Sequence, residues 1–241
     1  MRRRQARTGR WPDLLRSELL KLRYLPTPRW AVLAIAGVLL ITCAILLAVS
    51  PTEGSDAWHL APRTAATVTI SIAAIVIGAW PIGLEFSSRT VRLAATAEPD
   101  RTRLVLRKLA ATALLLAVFL AITVGLGLIA ELAMSGVGNS TLDSGDAIDS
   151  SLALLVIDLL WGLFAFGLVL LLRSYTGGIV CALALALALD QALQLIPEVG
   201  KYTFGAATES ISKAIGGEPA NLTAGIAVLT ALLWVAAINA L

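Results

Sequence analysis

The sequence predicts an all-α integral membrane protein of six transmembrane helices, and three observations predict it. Apolar residues fill 58% of the 241 positions and the mean hydropathy is +0.83, well above the roughly 45–50% apolar content of soluble domains. These residues gather into six stretches of about 20, the length that crosses roughly 30 Å of hydrocarbon at 1.5 Å per residue. The segments between them reach about thirty residues at most, too short for a soluble domain with its own core. The spans are Trp30–Val49, Thr64–Leu84, Leu109–Ile129, Ser151–Leu172, Thr176–Leu195 and Asn221–Ala240. Residues 1–29 form a cytoplasmic N-terminus and 30–241 a single transmembrane domain, with an inner loop at 85–108 and an outer hairpin at 190–220.

The first thirty residues are rich in arginine (Arg2, Arg3, Arg4, Arg7, Arg10) and precede an apolar run, as in a secretory signal. The run is about twenty residues long with no small-residue cleavage site after it, so a retained first helix is expected. Between Pro12 and Tyr24, Leu14, Leu15, Leu19 and Leu22 alternate with Arg16, Glu18, Lys21 and Arg23 at helical spacing. Such a helix lies in the membrane interface and ends at Pro26 and Pro28, with Trp30 at headgroup level. The second span ends in Ala79-Trp80-Pro81, where the missing donor of Pro81 predicts a kink. The loop from Glu85 to Lys108 is longer than a plain connection requires and reads as two short helices broken at Pro99, the second starting near Asp100 and running into the third span. In the fifth span the Leu-Ala alternation from Cys181 to Leu189 has the period of a strand, but a lone strand leaves its backbone unpaired in lipid, so a helix is expected, with Ala182, Ala184, Ala186 and Ala188 spaced for close approach. Pro197, Gly200, Gly205, Gly216, Gly217 and Pro219 punctuate a hairpin expected to rest at the outer surface.

Orientation follows from the cations. Of nineteen Lys and Arg, nine precede the first span, six lie in 85–108 and one is Arg173, whereas the alternate loops hold one, none and two. Basic residues are retained on the cytoplasmic side, so both termini are expected there, in a multi-pass protein of the cytoplasmic membrane. The basic start is read as a lipid-surface anchor rather than a nucleic-acid site.

The sequence carries few signs of catalytic chemistry. No Gly-x-x-x-x-Gly-Lys-Ser/Thr occurs, so no loop of this chain cradles ATP phosphates. His59, the one histidine, falls in a predicted outer loop without a cysteine or acidic cluster at ligand spacing, and no His-x-x-Glu-His, Glu-x-x-His or Gly-x-Ser-x-Gly is present. Cys43 and Cys181 sit inside apolar spans as small hydrophobes. No enzyme activity, metal or cofactor is expected in this chain. Asn139-Ser-Thr141 and Asn221-Leu-Thr223 fit the glycosylation sequon, a match short enough to arise by chance. Intramembrane acids are more telling, because an acidic residue at a span centre costs roughly 2.5–3.5 kcal/mol on insertion scales. Asp158 lies about 10 Å below the outer end of the fourth span and Asp190 at similar depth in the fifth; Glu131 closes the third. With no basic residue inside a span, Asp158, Trp161 and Asp190 are candidate lining of a translocation path that favours cations. The competing reading is that Asp158 is protonated or hydrogen-bonded and Asp190 ends its helix.

Four segments carry a resemblance. They are Ser17-Glu-Leu-Leu-Lys-Leu-Arg23 before the first span, Gly83-Leu-Glu-Phe-Ser-Ser-Arg-Thr-Val-Arg92 after the second, Pro99-Asp-Arg-Thr-Arg103 with Lys108 before the third, and Leu172-Arg-Ser174 after the fourth. In this order the chain resembles the membrane-spanning permease of type-2 ABC exporters over nearly its whole length. The resemblance implies an N-terminal amphipathic elbow helix at Pro12–Tyr24, a cytoplasmic coupling helix in Glu85–Arg103 between spans two and three, and the outer hairpin between spans five and six. It further implies two ABC ATPase subunits that bind ATP and Mg, a second permease copy or paralogue, and export of a drug, lipid or peptide. Glu85, Arg89, Arg92, Arg101 and Arg103 are then candidate contacts to the ATPase; otherwise these arginines only touch lipid phosphates. Two rival classes are a regulatory or immunity membrane protein that moves no cargo and a self-sufficient secondary transporter, for which no internal repeat is visible.

Overall fold

Lipid-facing backbone must satisfy its hydrogen bonds locally, and the described residues are accordingly helix and turn, with no strand among them. The computed structural model describes residues 57–87, 101–138, 144–196, 200–217 and 219–240, together with helical positions scattered between Trp30 and Ala44. The predicted elbow helix, most of the first predicted span and residues 88–100 lie outside the described residues.

Helix α1 runs Ala57–Ser87, α2 Arg101–Gly138 and α3 Ser144–Leu172. Each contains a stretch long and apolar enough to cross a membrane: Thr67–Phe86, Thr102–Ala130 and Ile148–Leu172. Helices α1 and α2 overrun their predicted spans at both ends, and α3 overruns its span at the start but ends at Leu172 as predicted. His59, expected in a loop, falls in the first turn of α1, and α1 continues through Pro81 to Ser87. A proline removes one backbone bond, but in an apolar setting its neighbours still find their best partners within the helix. Helix α2 begins directly after Asp100, as expected, and at 38 residues it extends about 57 Å, more than a hydrocarbon core requires. Arg103, Arg107 and Lys108 therefore ride on the helix itself.

Helix α3 ends at Leu172 in a two-residue corner. Arg173 has a φ of 50°, the left-handed conformation that stops a helix, and the Ser174 side chain accepts from the Gly177 amide at 3.2 Å, capping α4 (Tyr175–Ala184). The helical path continues through one π turn, Leu185–Leu189, into α5, Asp190–Gln194. The predicted fifth span is thus helical but not uniform. After a 3-10 turn at Gly200–Tyr202 come α6, Phe204–Ile215, and α7, Ala224–Ala240. The run Tyr175–Leu189 and Ala224–Asn239 are apolar but shorter than the first three candidate spans.

Helix α3 is the hub, packing on α1, α2, α4, α6 and α7. In lipid the hydrophobic effect gives neighbouring helices little reason to associate, so close backbone approach and dispersion must do so. Gly78 on α1 and Gly162 on α3 supply it, since a Cβ added at Gly78 would run into the Gly162 backbone. Of the alanines expected to permit close approach in the fifth span, Ala182 is buried and Ala186, four residues on, packs against the same core, whereas Ala184 and Ala188 are exposed on the other face. Around the crossing, one cluster joins Ile75, Phe164, Phe166, Val169, Ala182 and Val235, and another joins Ile70 and Ile77 to Leu116, Phe119 and Leu120 of α2.

The segment expected to rest on the outer surface instead enters the bundle. Phe204, at the start of α6, stacks on Phe164 with centroids 4.4 Å apart and meets Trp161 edge-on at 4.7 Å. Both partners lie near the middle of the apolar stretch Ile148–Leu172. From there α6 climbs until Ser212 stands beside Ser150 and Ser151 at the other end of α3. Its face of Phe204, Ala206, Ala207, Thr208, Ser210 and Ile211 is buried, and the hydroxyls of Thr208 and Ser210 are absorbed by backbone carbonyls at 2.8 Å. Small side chains and self-satisfied hydroxyls are what let this half-polar helix lie inside.

Candidate functional site

Two ends of the bundle hold the residues that the sequence singled out. At the end carrying the 85–108 loop, Lys108 of α2 donates to Glu85 of α1, and both side chains are largely buried, 7% and 18% exposed. Arg107 beside it is buried as well. An ion pair removed from water is expensive to break by deleting one partner, about 3–5 kcal/mol, because the other charge is left uncompensated. This pair therefore ties the last turn of α1 to the first turns of α2 and closes the loop between them at its base. The ring of Tyr175 packs against Gly83 at the same level, leaving no space for a Cβ there. Of the other candidate contacts, Arg103 is exposed on α2 and Arg101 is its first residue; Arg89 and Arg92 lie outside the described residues. Lys108 and Arg107 as buried groups were not legible from spacing. Lys108 falls 23 residues from Glu85, and only the fold brings them together.

The three candidates for a path, Asp158, Trp161 and Asp190, are placed at comparable depth but are not brought to one site. Trp161 belongs to the aromatic cluster with Phe164 and Phe204 and packs as core. Asp190 reaches across to α6: its Oδ1 accepts from the Gly205 amide at 2.9 Å and its Oδ2 from Gln194 Nε2 at 2.8 Å. A carboxylate at a helix N-terminus meets unpaired amides and the positive end of the helix dipole, so Asp190 pins the start of α6 inside the bundle. The Thr203 side chain caps the same helix at the Ala206 amide. The π turn sets up this contact: the Asp190 amide bonds to the Leu185 carbonyl, five residues back, and the extra residue turns Asp190 inward while Leu187 and Leu189 remain exposed.

Asp158 is different. Its side chain is fully buried and neither carboxylate oxygen makes a hydrogen bond among the described residues. Ser71 of α1 is the polar side chain beside it. Four residues before it, Leu154 lines a cavity of about 310 Å³ between α1, α2, α3 and α6. Ile70, Val124, Leu128 and Ile157 give the cavity apolar walls, and Thr67, Ser71, Ser150, Ser151 and Ser212 give it hydroxyls. These hydroxyls were not among the sequence candidates, although Ser71 interrupts an otherwise apolar run. No group of three or more His, Cys, Asp or Glu is placed to hold a metal among the described residues, and Cys181 is a free thiol.

The chain matches no family model, and no curated protein is detectably similar to it in sequence.

Proposed function

We propose that this chain is the membrane-spanning permease subunit of an ATP-driven exporter of the type-2 ABC class. It sits in the cytoplasmic membrane with both termini inside and pairs with a second permease copy or paralogue. Two separate ATPase subunits bind ATP and Mg and supply the work. In this reading α1, α2 and α3 are the second, third and fourth of six spans, the helical run from Tyr175 and α7 are the fifth and sixth, and Pro12–Tyr24 is an elbow helix along the inner surface. Three stretches of membrane-spanning length and the sixteen-to-three asymmetry of basic residues support the placement.

The observation that carries the reading is the buried Glu85–Lys108 pair at the base of a long basic loop. A loop closed by such a pair transmits a push to α1 and α2 together rather than deforming alone. Those two helices pack on α3 at the Gly78–Gly162 crossing and across the Leu116–Leu120 cluster, so motion of the loop reaches the centre of the bundle. Arg89, Arg92, Arg101 and Arg103 supply the charge by which an acidic groove of an ATPase recognises the loop.

Charge reversal tests this. Arg89→Glu with Arg92→Glu releases a soluble ATPase that co-purifies with the wild-type chain and leaves the amount of membrane-inserted chain unchanged. Unaltered co-purification rejects the loop as the docking surface. A wild-type chain that purifies alone and moves cargo on an ion gradient instead establishes a secondary transporter.

A further inference from the structure

A carboxylate in an apolar interior must be neutralised by a proton or balanced by a cation. The basic side chains of α2 do not reach Asp158. Lys108 lies at the loop end, whereas α2 meets the Asp158 level of α3 near Leu120, about 18 Å further along at 1.5 Å per residue. Asp158 is also not held by hydrogen bonds, since both of its oxygens are without a partner among the described residues. Asp190, by contrast, has both oxygens engaged. Of these two acids, Asp158 is the one with no hydrogen-bond partner among the described residues.

Its surroundings differ sharply above and below. Four residues on, Gly162 brings α3 against the backbone of Gly78, and Leu116 fills what remains, so the bundle is closed there. Four residues back, Leu154 lines the cavity that α3 shares with α1, α2 and α6. Leu154 and Asp158 are neighbours on one face of α3, and Ser71 both lines the cavity and stands within reach of the carboxylate. Asp158 does not itself line the cavity, but it is separated from it only by residues that do, Ser71 beside its carboxylate and Leu154 one turn back.

We propose that the cavity bounded by Thr67, Ser71, Gly127, Ser151, Leu154 and Ser212 binds a small organic amine whose ammonium is balanced by Asp158. Its volume of about 310 Å³ is at the lower end of the roughly 300–1,000 Å³ typical of small-ligand sites. Apolar walls with a few hydroxyls take a hydrocarbon body, and one carboxylate takes one positive charge. A hard metal ion needs six or more oxygen ligands, and a single acid among hydroxyls on four separate helices is a poor match. The proposal deepens the exporter reading by naming a cargo class, but its test needs no ATPase.

The chain is placed in lipid nanodiscs with Cys43 and Cys181 replaced by alanine and a reporter thiol introduced by Ser212→Cys. Labelling by a membrane-impermeant methanethiosulfonate is timed with phenethylamine or with 2-phenylethanol, a neutral molecule of nearly the same shape. Phenethylamine is expected to slow labelling about tenfold at concentrations where the alcohol has no effect, a difference of about 1.4 kcal/mol in binding. Asp158→Asn is expected to remove the protection by the amine. Equal protection by amine and alcohol, or protection that survives Asp158→Asn, overturns the proposal; the first result is what a protonated, purely structural Asp158 gives. If Asp158→Asn does not fold, Leu154→Trp fills the cavity with Asp158 in place, and protection retained in that variant is equally fatal. Protection by the amine in a chain that never associates with an ATPase keeps this inference and rejects the exporter reading instead.

Discussion

Single residues in this bundle are decisive where they have no room to be anything else. Gly78 faces backbone across the α1–α3 crossing, so no side chain there can step aside. Gly78→Leu is expected to destabilise the chain by at least about 1–3 kcal/mol through overpacking, read as a fall in the detergent-solubilised thermal midpoint. Gly125 on α2 is the contrast, because nothing lies within 4 Å of a Cβ added there. Gly125→Ala is expected to leave the midpoint unchanged or raise it, since alanine is favoured over glycine in a helix interior by about 1 kcal/mol. A midpoint that falls equally in both variants would mean that the crossing is not where the helices are held. Neither glycine stands out from the nineteen in the sequence; which one meets another backbone depends on helix rotation, and rotation is fixed by partners far away along the chain.

Among the elements, α6 separates what the sequence could convey from what it could not. Helices α1 to α3 were legible because long apolar runs admit few alternatives, and their centres were found together with the Leu172 end of α3, although most of the other ends were not. The start of α2 after Asp100 was legible for a local reason, because Pro99 stands just before it in the sequence. The inward course of α6 was not legible, because its Ser and Thr residues suggest a wet surface until their hydroxyls are seen to bond to its own carbonyls. Asp190 was read as either path lining or a helix end, and its actual partner, the Gly205 amide, lies fifteen residues away. The account predicts that Asp190→Ala frees the start of α6, at a cost of about 1–3 kcal/mol for an orphaned buried donor and lost cap. Hydrogen exchange at Gly205 and Ala206 is expected to quicken by about tenfold or more, whereas Asp190→Asn, which keeps an acceptor, recovers much of the protection. Unchanged exchange at these amides in Asp190→Ala would show that the Phe204 aromatic contacts alone hold α6 in place.

At the scale of the whole molecule, the bundle has two unlike ends joined by one tight crossing. The loop end is basic and clamped by Glu85 and Lys108; the opposite end parts into a hydroxyl-lined cavity with Asp158 behind it. Between them the backbones of Gly78 and Gly162 meet directly. In the exporter proposed above, a separate ATPase supplies the work. The most direct measurement is native mass spectrometry of the assembly extracted from its own membrane with a mild detergent. The account predicts two permease chains, 25.2 kDa each where both are copies of this one, bound to two copies of a soluble chain that carries a phosphate-binding loop. A lone chain, or an oligomer of this chain with no such partner, would contradict it.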